Sequence, residues 1–332
     1  MIQQVFQMDL RTSNMEYNAP KNKFELFEST KKFLQYNMIT PDMKFVFTEF
    51  DKCRATHSTS CVRSMALIGP SGVGKSNCIN KYKKLHPDYV DENQTVIPVL
   101  STGLSQKANT KALMVNLLSS LTGCDNITGT ESHIRQRLIS RLKATRTEII
   151  FIDEAQHLVR ESSSIAAQHA ADAIKSLMDE ARLPIVLVGI ESLTPLLYGK
   201  AKFEAEKQML RRYRMTHIIT PYEVSSAGWN KMMSMYKNQV NVDVDLDLTS
   251  EMMLKRMHVA TDGLFGNIKP LFLEALQIAG ADKEITQDDL VKAYEVFQPT
   301  NPLAINPFKA TNSELEVAIS LKLEALSNKS VA

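Results

Sequence analysis

No two of the four cysteines, Cys53, Cys61, Cys78 and Cys124, form a C-x-x-C pair, and none joins histidines at metal-binding spacing, although His57 lies between the first two. With neither a disulfide framework nor a metal knot, the thiols read as free groups in a reducing cytosol. His157 and His169 stand apart without a third ligand and read as ordinary core or surface histidines. Long hydrophobic runs are missing as well. No segment approaches the ~20 apolar residues that cross a bilayer, and Met1 to Asp9 lack the charged-then-apolar order of an export signal. The expectation is a cytoplasmic protein with no membrane partner. Nor does charge of one sign dominate: 39 Lys and Arg face 37 Asp and Glu, so any nucleic-acid contact must come from a local basic patch and not from a global field. No internal repeat is visible. What remains is 332 residues, 44% of them hydrophobic, enough to pack one large or two smaller domains.

The most informative stretch lies where the apolar run Met65-Ala66-Leu67-Ile68 gives way to a helix-forming segment. It reads Gly69-Pro70-Ser71-Gly72-Val73-Gly74-Lys75-Ser76, a P-loop. Its glycines let successive backbone N–H groups turn inward on a triphosphate, Lys75 reaches the β and γ phosphates, and the Ser76 hydroxyl ligates Mg²⁺. The N-terminal end of the following helix, with Asn77 among the expected nucleotide-binding residues, adds its positive pole to the same anion site.

A glycine-rich turn alone could be a ligand-free loop. A second element decides between the readings: Glu148-Ile149-Ile150-Phe151-Ile152-Asp153-Glu154 is an apolar run closed by two carboxylates, as in a buried parallel strand that delivers acids to its carboxyl end. In this Walker B reading Asp153 holds the Mg²⁺ shell and Glu154 polarises the attacking water. The predicted cofactors are therefore ATP and Mg²⁺, and the predicted activity is ATP hydrolysis.

Along the chain, residues 1 to about 40 are polar and mixed, with Phe24, Phe27 and Phe33 as anchors, and Phe45 to Phe50 patterns as an amphipathic helix. From Met65 the elements alternate: strand 65–68, helix 75–85, strand 95–100, helices 110–122 and 131–144, strand 148–152, helix 164–181, strands 185–189 and 216–220. That order predicts an α/β fold, a parallel sheet flanked by helices with the site at the carboxyl edge of its strands. After Pro221 only helical spacing remains, in 225–238, 249–260, 267–279 and 286–297. The predicted division is an extension over 1–55, a nucleotide-binding domain over 56–222, a small helical lid over 223–298 and a tail over 299–332, with a short helix from Ser313 to Ala325.

A P-loop α/β core followed by a helical lid resembles the AAA+ ATPases, and that resemblance implies further roles. The strand Pro184 to Gly189 ends in Ile190-Glu191-Ser192, where the family keeps its sensor-1 polar residue, usually Asn, Ser or Thr; Glu191 and Ser192 are both open to that role. Gln208-Met209-Leu210-Arg211-Arg212-Tyr213-Arg214 looks like the segment carrying the arginine finger, with Arg212 favoured over Arg211. The alternative is a basic helix end that satisfies its own carbonyls. Gly263-Leu264-Phe265-Gly266-Asn267-Ile268-Lys269 resembles the sensor-2 entry, with Lys269 where the family usually has Arg; a solvated helix lysine is the other reading.

Within the AAA+ group, Ile149 to Leu158 with its run Asp153-Glu154-Ala155-Gln156-His157, the strand from Leu183 to Gly189, and the Gln208 to Tyr213 segment resemble the TniB/TnsC regulators of transposition in Tn7-like elements, over about residues 60 to 280. The resemblance implies an ATP-dependent homo-oligomer, a ring or short helical filament on double-stranded DNA, which links a TniQ-type targeting protein, RNA-guided in some elements, to the transposase. Lys107, Asn109, Thr110 and Lys111, at the start of a helix, are the first candidates for phosphate contact. Arg135, Arg137, Arg141, Lys143 and Arg146 form a second basic run, for which a merely solvated face is the favoured reading and DNA contact the alternative. The Asp-Glu-Ala-Gln run also occurs in helicase loaders and secretion-type ATPases, which form the alternative reading; a scaffold that binds ATP without hydrolysing it is disfavoured by Glu154.

Overall fold

The computed structural model describes residues 26–297, apart from 37, 107, 160–163, 199–208, 210, 214, 241, 244 and 282, together with residues 305–329. Five strands form one sheet in the order β4-β5-β6-β1-β7, where β1 is Met65–Ile68, β4 Val99–Gly103, β5 Ile149–Asp153, β6 Ile185–Gly189 and β7 Met215–Ile218. Every pairing in it is parallel. Alternation along the strands splits the core into two layers: Ala66, Ile68, Ile150, Ile152, Ile185 and Leu187 face one cluster, while Met65, Leu67, Ile149, Phe151, Val186 and Val188 face the other. Strands buried on both faces need helices above and below. One layer holds α4 (Thr110–Thr122), α5 (Glu131–Ala144) and α6 (Ser164–Ala181); the other holds α2 (Pro41–Arg54) and α3 (Lys75–Leu85). The helix starts are locally written. Thr40 accepts from the Met43 amide ahead of Pro41, Asn109 from Ala112, and Thr130 from His133.

The sequence predicts one strand over 95–100; the chain instead forms an antiparallel hairpin of β2 (Tyr89–Asp91) and β3 (Gln94–Val96), then enters the sheet at Val99. Pro98 separates them because it has no N–H to give a ladder, while its carbonyl accepts from Glu148 and Ile149 at 2.9 and 3.3 Å. The last strand stops at Ile218, two residues earlier than expected. The helix expected at Phe45–Phe50 extends over all of α2.

A third apolar cluster is built from α8 (Ala227–Lys237), α9 (Glu251–Thr261), α10 (Phe265–Ala279) and α11 (Gln287–Phe297), around Trp229, Met233, Met257 and Phe272. Helix α1 (Glu28–Gln35) belongs to this cluster and not to the sheet: Phe33 is 2% exposed and meets Phe272 edge-on at 6.2 Å. Helix α7 (Thr194–Tyr198) follows β6, and α12 (Asn312–Lys329) packs Leu315 and Ala318 against Val259. Among the described residues no helix is long and apolar enough to cross a membrane.

Candidate nucleotide site

β1 lies between β6 and β7, and the loop that leaves it is gripped from both sides. Gly69 N–H donates to the Gly189 carbonyl at 3.1 Å, and Ile219 N–H to the Ile68 carbonyl at 2.8 Å. The loop re-enters helix at Gly74, whose φ of 107° falls in the left-handed region and which offers no capping side chain. The first amides of α3 are therefore left for an external acceptor, which is the arrangement that binds phosphate. Lys75 is 5% exposed, and its ammonium donates to the carbonyls of Gly69 at 2.7 Å and Pro70 at 2.9 Å. Burial pulls its pKa down from the usual lysine value, while Glu154 and Asp153 push it back up.

Asp153 ends β5, and its Oδ1 accepts from the Glu154 amide at 2.9 Å. Glu154 takes φ 55°, a left-handed conformation that costs a non-glycine residue about 1–3 kcal/mol and is a recurrent device for aiming a side chain at a functional site. Its Oε2 accepts from Gln156 Nε2 and lies 4.0 Å from His157 Nε2.

Glu154 and the P-loop residues Ser71, Gly72, Gly74, Lys75, Ser76 and Asn77 line one cavity of ≈ 500 Å³. Its opposite wall comes from the distant helix α10, through Phe265, Gly266, Lys269, Pro270 and Leu273, and from Leu34 of α1. The two walls touch through main chain: Gly266 N–H donates to the Gly72 carbonyl at 2.7 Å. Two features fit a nucleotide. Asn77 Nδ2 is buried without a partner among the described residues, a donor in want of an acceptor, and the cavity joins an apolar end to a cradle of amides. The Ser76 hydroxyl and Asp153 carboxylate are the hard oxygen donors that Mg²⁺ prefers.

The remaining sequence candidates fall in various places. Lys269 lines the cavity, but its ammonium donates to the Leu34 carbonyl at 2.8 Å and sits 5.8 Å above the Phe33 ring. Burial and neighbouring Lys84 lower its pKa. Val73 is buried beneath the loop. Arg212 is away from this chain's cavity, with Nη2 on Asp179 Oδ1 and Oδ2 at 2.8 and 2.9 Å; Arg211 is exposed. Glu191 and Ser192 are exposed in a single 3-10 turn, and neither lines the cavity. Lys107, Gln208, Leu210 and Arg214 lie outside the described residues. Asn109 spends its side chain capping α4, Thr110 donates to Glu131 at 2.9 Å, and Lys111 is exposed. In the second basic run Arg135 pairs with Glu180 and Arg146 with Asp91, whereas Arg137, Arg141 and Lys143 are exposed. Sequence reasoning missed Leu34, Phe265, Pro270 and Leu273 as lining residues. No local pattern marks them, because only tertiary packing brings α1 and α10 over the loop.

A parallel sheet ordered this way, with P-loop and Walker B acids at its carboxyl edge and a helical unit over the loop, defines an AAA+ ATPase fold. Solved structures share it at low identity: Cdc6p from Pyrobaculum aerophilum (TM-score 0.54, 16% identity, 81% of this chain and 71% of that one) and the ORC1 protein of Aeropyrum pernix in complex with DNA (0.53, 13%, 82% and 70%). The Walker-type ATPase Paby2304 of Pyrococcus abyssi is a third (0.50, 15%, 90% and 80%). No curated protein matches the chain. The family model described as bacterial TniB protein matches residues 30–220, more than half of the chain, and the protein belongs to that family.

Proposed function

We propose that the protein is an ATP-hydrolysing regulator of DNA transposition, which assembles on duplex DNA when it holds ATP and links a TniQ-type targeting protein to the transposase. The observation that carries the reading is the convergence of the P-loop, Glu154 and the helical wall on one cavity, in a chain of the TniB family. The triphosphate lies along the amides of Gly72, Gly74, Lys75 and Ser76, and Lys75 exchanges its two carbonyl partners for phosphate oxygens. The base rests against Leu34, Phe265 and Leu273, with Asn77 giving its free N–H to the ligand. Ser76 and Asp153 would hold Mg²⁺, which would neutralise charge on the phosphates. Glu154 orients the attacking water and takes its proton, and the products are ADP and phosphate.

Lys269 reaches phosphate by leaving the Leu34 carbonyl, a part-exposed hydrogen bond that costs little to exchange. Arg212 acts in the neighbouring subunit's site, its pair with Asp179 on this chain setting the guanidinium's direction; a rim ion pair of this kind contributes under about 1 kcal/mol and yields to a phosphate. Lys111, together with the sequence neighbours Lys107, Asn109 and Thr110, meets the DNA backbone, as do Arg137, Arg141 and Lys143, so binding is salt-sensitive and nearly indifferent to sequence. A fold that accompanies DNA in the archaeal ORC1 structure is compatible with this role.

The test is electron-microscope imaging with a slowly hydrolysed ATP analogue, with and without duplex DNA, on the parent, Lys75→Ala and Glu154→Gln. Rings or filaments on DNA are expected from the parent and from Glu154→Gln with ATP itself, and none from Lys75→Ala. Monomers from all three in every condition would refute assembly. Hydrolysis by Glu154→Gln at the parental rate would remove Glu154 from its role.

A further inference from the structure

Neither Glu191 nor Ser192 faces the cavity, yet a polar group does join the Walker B carboxylate to the end of β6. Gln156 is 8% exposed, and both ends of its amide are engaged. Its Nε2 donates to Glu154 Oε2, and its Oε1 accepts from the Ile190 main-chain N–H at 3.3 Å. The strand end is shaped around it: a Cβ on Gly189 would overlap Gln156 Oε1. The 3-10 turn Ala155–Leu158 returns the chain so that Gln156 N also lies beneath Gly189, and its carbonyl accepts from Val159 N–H at 2.9 Å. A buried amide with donor and acceptor both used fixes what it touches.

We infer that Gln156 is the positioning residue of this ATPase: it holds the Glu154 carboxylate toward the attacking water and ties it to the Ile190 main chain, so that the sensor-1 connection runs through this amide and not through a side chain at 191 or 192. The inference rests on the ATP-hydrolysis reading above. Because Gln156 does not line the nucleotide cavity, its loss acts on turnover and not on binding. The geometry also explains the choice of residue. Asn is one methylene too short to span Glu154 and Ile190, and Glu keeps the acceptor for Ile190 while setting a second carboxylate against the first.

The experiment is steady-state ATP hydrolysis by the full chain with duplex DNA, with fluorescent-nucleotide binding alongside, for the parent, Glu154→Gln, Gln156→Met and Gln156→Glu. Gln156→Met keeps the volume and deletes both hydrogen bonds; kcat is expected to fall about ten- to a hundredfold, the size of losing a hydrogen bond to a charged group, with KM and nucleotide affinity within about twofold of the parent. Gln156→Glu, which retains polarity should the methionine variant fold badly, is expected to lose at least as much kcat with binding intact. Parental kcat in either variant, or a loss of kcat matched by an equal loss of binding, overturns the proposal. No hydrolysis by the parent overturns the ATPase reading and this inference together, whereas hydrolysis lost in Glu154→Gln but kept in Gln156→Met overturns this inference alone.

Discussion

Gly266→Ala tests the contact between the helical wall and the P-loop without touching a Walker residue. A Cβ at this position would lie 2.7 Å from the Gly72 carbonyl oxygen and 3.2 Å from Gly72 Cα. Both obstacles are main chain, so no flexible side chain can swing away. Either α10 lifts or the loop bends, and overpacking of this kind costs about 1–3 kcal/mol. The shift also stretches the 2.7 Å hydrogen bond from Gly266 N–H to Gly72, a further loss of about 1 kcal/mol. With the penalty falling on the arrangement that closes the cavity, nucleotide affinity should drop about thirty- to several-hundredfold. Fluorescent-nucleotide titration measures this directly, with thermal melting to confirm that the protein still folds. Gly103→Ala is the control, since its Cβ meets nothing within 4 Å and affinity should not change. Parental affinity in Gly266→Ala would refute the idea that this contact sets the closed cavity.

Two further predictions concern the surroundings of the site. Lys81 is 6% exposed on α3, its ammonium donates to the Met38 carbonyl, and burial together with Lys269 pushes its pKa down from 10.5 to about 8. Between those values the unfolded chain still holds a proton that the folded chain has released, so this residue makes stability rise with pH across the window, and its cost is full below about pH 8. Lys81→Met should stabilise the protein by about 1–2 kcal/mol at pH 7, after allowing for the lost hydrogen bond, and flatten that rise; urea melts at pH 7 and pH 10 with an unchanged difference between them would refute it. Phe33→Ala should cost about 3–4 kcal/mol, because the ring is buried against Phe272 and Tyr236 at 6.2 and 6.1 Å. Urea unfolding that reports no loss would show that α1 does not belong to the helical cluster.

The parts legible in the sequence are those whose cause is local. The P-loop could be read because eight contiguous residues carry the whole geometry: the left-handed turn at Gly74 needs glycine, and Lys75 and Ser76 follow on the helix it starts. The strand Met65–Ile68 and the acids at the end of β5 could be read because an unbroken apolar run ending in carboxylates has few other uses in an α/β chain. Helix starts at Thr40, Asn109 and Thr130 follow from capping chemistry. Pro98, by contrast, was visible all along, but its effect on the strand depended on a hairpin partner that the apolar pattern does not reveal.

What the sequence by itself determined is thus the anion cradle, the two Walker acids and the alternation that makes a parallel sheet. Each arises from backbone freedom or side-chain period over a few residues. Tertiary structure alone decided what meets the cradle from afar: Gly266 on Gly72, Leu34 beside α10, Arg212 on Asp179, and Gln156 between Glu154 and Ile190. Those contacts join residues far apart in the chain or on separate elements. Their existence depends on how whole helices pack over the sheet, and that packing is set by the summed burial of many side chains that no short pattern records.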